Sequence, residues 1–182
     1  MDFIKPLVDH GHVDFGENKV QEAVNKWTEI KEKKQDIKLH LIGKLQTNKV
    51  KFCLPLFDYI HSLDNIKLAD KIANEQTKKN FKPKIFIQVN VGDENQKNGI
   101  VLSDFESFYK KMTEDFDLNI IGLMCIPPFV DDTKKYFEKM IELKSKTNLK
   151  ELSMGMSNDY VEAAKYSSTY VRIGSKIFGS RS

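Results

Sequence analysis

The sequence predicts an α/β protein of parallel strands joined by right-handed helical crossovers, and a (β/α)8 TIM barrel fits it better than a doubly wound open sheet. Three observations carry this. Short apolar, β-branched runs alternate with longer segments of helical period along all 182 residues, a pattern that demands parallel strands and one hand of crossover. The run Ile85-Phe86-Ile87-Gln88-Val89-Asn90-Val91 is apolar on both faces up to its end, as a strand covered on both sides should be. No Gly-x-Gly-x-x-Gly motif occurs, which leaves the dinucleotide-binding form of the open sheet unsupported.

Taken in order, the strands are expected at residues 12–15, 39–42, 59–62, 85–91, 120–124, 151–154 and 170–173. Helices are expected at 2–10, 17–33, 46–54, 65–79, 104–114, 133–146 and 159–166. Gly11 is placed to cap the first helix. Val20, Val24, Trp27 and Ile30 fall at helical spacing in the second, and Pro55 stops the third. Ser62 and Asp64 offer caps to the fourth. Ser103, with Glu106 three residues on, makes a capping box for the fifth. These are seven strands behind a leading helix, so a barrel of eight would need one more strand before Asp2. No repeat, low-complexity tract or linker divides the chain, and residues 1–182 are expected to form a single domain.

Composition narrows the function classes. Hydrophobic residues make up 40% and charged residues 30%, a globular balance. The net charge of +3 comes almost wholly from lysine, since the only arginines are Arg172 and Arg181. Nucleic-acid binders favour arginine for bidentate contacts, so nucleic acid is not an expected partner. No apolar run approaches bilayer-spanning length, and the first residues lack the pattern of a signal peptide. Cys53 and Cys125 stand in apolar settings without a Cys-x-x-Cys motif or a histidine at ligand spacing. They read as buried free thiols of a cytoplasmic protein.

In an α/β barrel the active face is built from the loops that follow the strands. Small residues cluster after the last two: Gly155 and Ser157, then Gly174 and Ser175. Barrels often hold phosphate there with loop amides and a helix N-terminus, glycine letting the backbone approach the anion and serine adding hydroxyl donors. Arg172, between Val171 and Ile173, faces either the lumen or the helix layer by strand alternation. Either place is expensive for an unpaired guanidinium, so it belongs to a salt bridge or to a ligand beside the phosphate cup. His40, in a strand, reads first as a satisfied core histidine, because no second ligand lies at metal spacing. No metal cluster and no Ser-His-Asp or Cys-His constellation is present.

Several segments resemble one family. Phe15-Gly16-Glu17-Asn18 followed by Val20-Gln21-Glu22, and His40-Leu41-Ile42-Gly43-Lys44-Leu45-Gln46-Thr47-Asn48-Lys49, are similar to the pyridoxal phosphate homeostasis proteins (the YggS and PROSC type). So are Gln88-Val89-Asn90-Val91 leading to Lys97-Asn98-Gly99, and Gly122-Leu123-Met124 with Ile126-Pro127. The likeness continues through Leu152-Ser153-Met154-Gly155-Met156-Ser157-Asn158-Asp159 and Val171-Arg172-Ile173-Gly174 to Ile177-Phe178-Gly179, and so runs the length of the chain in order. The resemblance implies a barrel of the alanine racemase N-terminal-domain type that binds pyridoxal 5'-phosphate (PLP). It implies a role in vitamin B6 and amino-acid homeostasis as carrier or regulator, not as an enzyme, with PLP-dependent apo-enzymes as recipients. By position, Ser157, Gly174 and Ser175 would hold the phosphate and Arg172 would face the pyridine nitrogen. Asn18, His40 and Met124 would line the surroundings. The family's Schiff-base lysine lies in a motif like Ala-Val-Ser-Lys on the first strand. That strand is expected upstream of Met1, so the resemblance implies an N-terminally truncated member. A PLP-dependent racemase-like enzyme and a non-catalytic phosphate-binding barrel are the alternatives.

Overall fold

The computed structural model describes residues 3–94, 96–129 and 132–179. The expected helix start at Asp2, and Asn95 in the loop after the fourth strand, lie outside the described residues. Strands and helices alternate as the periodicity requires. The strands are β1 (Asp14–Glu17), β2 (Lys38–Leu41), β3 (Tyr59–Leu63), β4 (Lys84–Asn90), β5 (Ile100–Val101), β6 (Asn119–Cys125), β7 (Glu151–Met156) and β8 (Tyr170–Arg172). The helices are α1 (Lys5–Asp9), α2 (Val20–Lys33), α3 (Val50–Cys53), α4 (Ile66–Lys79), α5 (Phe105–Asp115), α6 (Lys134–Ser145), α7 (Tyr160–Lys165) and α8 (Ser175–Phe178).

All pairings are parallel, in the order β1-β2-β3-β4-β6-β7-β8, with the two-residue β5 set against the end of β4. The sheet curls into a nearly closed barrel. Tyr170, on the last strand, reaches across the lumen to the rings of His40, Tyr59 and Phe86 on β2, β3 and β4, at centroid distances of 5.7, 5.7 and 5.3 Å. Outside the strands, one apolar cluster runs from Val8 to Ala163 between sheet and helices. Its largest buried member is Trp27. The Trp27 ring lies 4.7 Å from that of Phe15, and its Nε1 donates to Glu17 Oε1 at 2.7 Å, which holds α2 on β1. Cys53 and Cys125 are free and fully buried, and burial pushes the Cys125 thiol up to about 12.

Three local expectations are corrected. The Asn65 side chain, rather than Ser62 or Asp64, caps α4 by accepting from the Leu68 N–H at 2.9 Å. Asp64 instead accepts from the Asn65 amide and from the Gly99 N–H. No capping box forms before α5, because a 3-10 turn at Leu102–Asp104 precedes it and the Ser103 hydroxyl donates to Asp104. The segment at 46–54 is divided between a 3-10 turn, Thr47–Lys49, and α3.

Candidate functional site

At the strands' C-terminal rim, β7 and β8 are neighbours with Met156 level with Arg172, so the loops that follow them run side by side. Ser157 is the first residue past β7. Its buried Oγ accepts from the backbone N–H groups of Gly174 (3.2 Å) and Lys176 (3.4 Å). Two amides thus converge on one oxygen position, with the Ser175 residue between them. Such a set of N–H and O–H donors suits a phosphate oxygen. Asp159 Oδ1 accepts from the Met156 N–H at 2.7 Å and closes the turn that presents Ser157.

The turn depends on Gly155. Its φ is +91°, and a Cβ there would lie 2.5 Å from the Cβ of Ala163 in α7. The change Gly155→Ala combines a left-handed backbone with an overlap, so it is expected to cost about 1–3 kcal/mol. Thermal unfolding checks this, since an unshifted Tm would mean that α7 moves aside freely.

Arg172 points into the lumen. It donates from one terminal nitrogen to Ser153 Oγ at 2.7 Å and from the other to the Cys125 carbonyl at 2.8 Å. Among the described residues no carboxylate forms an ion pair with it. Burial lowers its pKa, against the opposing influence of Cys125 and Asp159. An arginine remains charged under such a shift, so the rim carries a desolvated cation beside the converging amides.

A hydrogen-bonded row leads away from Arg172 across the lumen. Ser153 Oγ lies 2.9 Å from His61 Nδ1. His61 Nε2 lies 3.0 Å from His40 Nδ1, and His40 Nε2 lies 3.0 Å from Asp14 Oδ1. His40 stacks on Tyr59 and His61 on Phe86, at centroid separations of 4.1 and 4.3 Å. Burial holds the His61 pKa well below the ordinary histidine value, helped by His40 and Arg172. Burial also lowers that of His40, although Asp14 and Asp58 pull the other way. Both shifts favour the neutral rings.

A stability consequence follows. Below pH of about 6.5 the unfolded chain takes up protons that the folded rings refuse, so stability falls as the pH drops toward the lowered folded values. The slope is expected to reach about 1.4 kcal/mol per pH unit for each ring that stays neutral. Urea midpoints between pH 7 and 5 check this, and a flat profile would contradict it.

The structure thus brings Ser157, Arg172, Gly174 and Ser175 to one rim. Met124 is deeper, fully buried with Tyr59 and Phe86 inside the barrel. His40 is also interior, satisfied by Asp14 and His61. Asn18 stands on the rim past β1, where the Gly43 backbone crosses so closely that a Cβ on Gly43 would lie 2.2 Å from the Asn18 carbonyl. Asp14, His61 and Ser153 escaped the sequence reading. The available signal was phase: His40 and His61 lie on adjacent parallel strands, 21 residues apart, where no short motif registers them.

Residues 2–182 match the family described as alanine racemase, N-terminal domain. A pyridoxal phosphate homeostasis protein of Aquifex aeolicus is 37% identical over 187 residues, covering 98% of this chain and 81% of the relative. The Escherichia coli K12 protein of the same name is 35% identical, over 98% of this chain and 80% of the relative. Among solved structures, PipY of Synechococcus elongatus PCC7942 with PLP bound superposes with a TM-score of 0.86 at 32% identity, covering 97% of this chain and 86% of PipY. The chain belongs to the alanine racemase N-terminal domain family and, within it, to the pyridoxal phosphate homeostasis proteins.

Proposed function

We propose that this chain is a single PLP-binding barrel domain, residues 1–182, that serves PLP homeostasis as a carrier or regulator and not as an enzyme. The observation that carries the reading is the meeting of two backbone amides and the Ser157 hydroxyl beside a lumen-facing Arg172. Ser157, Gly174 and Ser175 would hold the phosphate, Arg172 the pyridine nitrogen, and Asn18, His40 and Met124 the surroundings. The donor set fits, because every group named at the phosphate end presents N–H or O–H and none is a carboxylate. PipY, at 32% identity, is described with PLP bound, and the named relatives are PLP homeostasis proteins.

When bound, PLP supplies an electron sink for amino-acid chemistry. A guanidinium at the pyridine nitrogen disfavours a second positive charge there, so Arg172 would keep that sink weak. This supports holding the cofactor and passing it to PLP-dependent apo-enzymes over turning over amino acids. The free buried thiols accord with a reducing cytoplasm. Among the described residues no helix is long and apolar enough to cross a membrane.

The test is an absorbance titration with PLP in the region of roughly 330–420 nm, on the wild-type chain and on Gly174→Asp. A Cβ at Gly174 meets nothing within 4 Å, so the variant folds while setting a carboxylate among the anion donors. Saturable binding lost in the variant is expected. Equal binding by both would remove the phosphate assignment, and sustained racemisation of alanine or serine would remove the carrier assignment.

A further inference from the structure

The row Asp14–His40–His61–Ser153–Arg172 has one consistent pattern of protons. An ionised Asp14 can only accept, so His40 must carry its proton on Nε2 and present a bare Nδ1. His61 must then donate from Nε2 to His40, which leaves its own Nδ1 as an acceptor. The Ser153 hydroxyl therefore donates to His61, and its lone pairs turn toward the Arg172 guanidinium. Each step follows from the one before because a neutral imidazole has one donor and one acceptor. The stacks on Tyr59 and Phe86 hold both rings in the plane this requires.

We propose that His61, backed by His40 and Asp14, is a positioning residue for Arg172: it turns the Ser153 hydroxyl so that an oxygen lone pair, and not a hydrogen, faces the guanidinium. This rests on the functional reading above only in assigning Arg172 to the ligand. The row gives a buried cation an acceptor without giving it a counter-charge, and the charge stays available to a ligand. Protonating His61 would make both its nitrogens donors. Ser153 would then have to accept from His61 as well as from Arg172, its hydrogen would lose the His61 acceptor, and two like charges would stand a serine apart. The groups facing the two rings are Asp14 from β1, Asp58 from the loop before β3, Tyr59 from β3, Lys84 from β4, and Tyr170 and Arg172 from β8. The only carboxylate among them in contact with either ring is Asp14, on the far side from Arg172.

Two measurements test this. The first is histidine nitrogen NMR on the wild-type chain. Both rings are expected neutral at pH 7 with the proton on Nε2, and Asp14→Asn, at a half-exposed side chain, is expected to give a mixture of tautomers. A ring protonated on Nδ1, or charged at pH 7, would overturn the row without reference to any ligand. The second is PLP affinity as a function of pH for wild type and His61→Phe, which keeps the stack on Phe86. The variant is expected to lose about tenfold in affinity, the value of one hydrogen bond to a charged group. Its affinity should also lack the extra fall that wild type shows on acidification. Identical affinities and pH profiles would overturn the positioning role. If wild type binds no PLP at all, the functional reading falls, and the tautomer spectrum still decides the row.

Discussion

Arg172→Met is expected to weaken PLP binding by on the order of 10–100-fold, the worth of about 1.5–3 kcal/mol for a hydrogen bond to a charged group, while leaving stability nearly unchanged. The two effects separate because the guanidinium is desolvated without a carboxylate partner. Removing it relieves a penalty of several kcal/mol. It also takes the donors from Ser153 Oγ and the Cys125 carbonyl, at about 1–3 kcal/mol each. These terms are comparable and opposite, and methionine fills much of the volume. Titration by absorbance and thermal unfolding of the same variant check the pair of outcomes. A large fall in Tm would mean that Arg172 is a structural strut, and unaltered affinity would remove it from the binding site.

Trp27→Ala is expected to be the most destabilising single change, at about 3–5 kcal/mol. Trp27 is fully buried between α2 and β1, and the void left by an indole collapses only partly. Its loss also strips Glu17 of one of the two donors on Oε1, leaving Lys26 at 2.7 Å. In a chain of this size each kcal/mol moves Tm by about 2–4 °C, so a fall of roughly 6–20 °C should be read by circular dichroism. Trp27→Phe keeps the packing against Phe15 and loses only the N–H, so it should fall well short of that. If the two variants unfolded together, the hydrogen bond to Glu17 would outweigh the cavity.

The sheet and its crossovers were legible because β2, β3, β4, β6 and β7 are short apolar runs set between longer segments of helical pattern. The β4 run, apolar on both faces, announced burial between two layers. The elements that escaped are those too short to show a period: β5 has two residues and α8 four. The edge strand β1 was placed two residues early because His12 and Val13 look as strand-like as Asp14 and Phe15. The meeting of the two loops at Ser157 and Gly174, proposed above to hold phosphate, was visible as glycine and serine after two successive strands. Alternation could not decide whether Arg172 faced lumen or helices, since in a parallel barrel both sides are apolar. Ser153 and the Cys125 carbonyl, contributed by other strands, decide it. The helix caps went astray for a related reason: several polar residues stand at each helix start, and only the backbone shows which one reaches the free N–H.

Cys53 and Cys125 give the molecule a built-in clock for its own opening. The thiolate is the reactive form, and neither sulfur is exposed or ionised at neutral pH in the folded chain. A soluble alkylating reagent therefore has nothing to attack until the surrounding layers part. Its rate of incorporation reports how often the barrel breathes, with no label engineered in. Slower modification when PLP is added would measure, in the same tube, how far the cofactor holds the walls together.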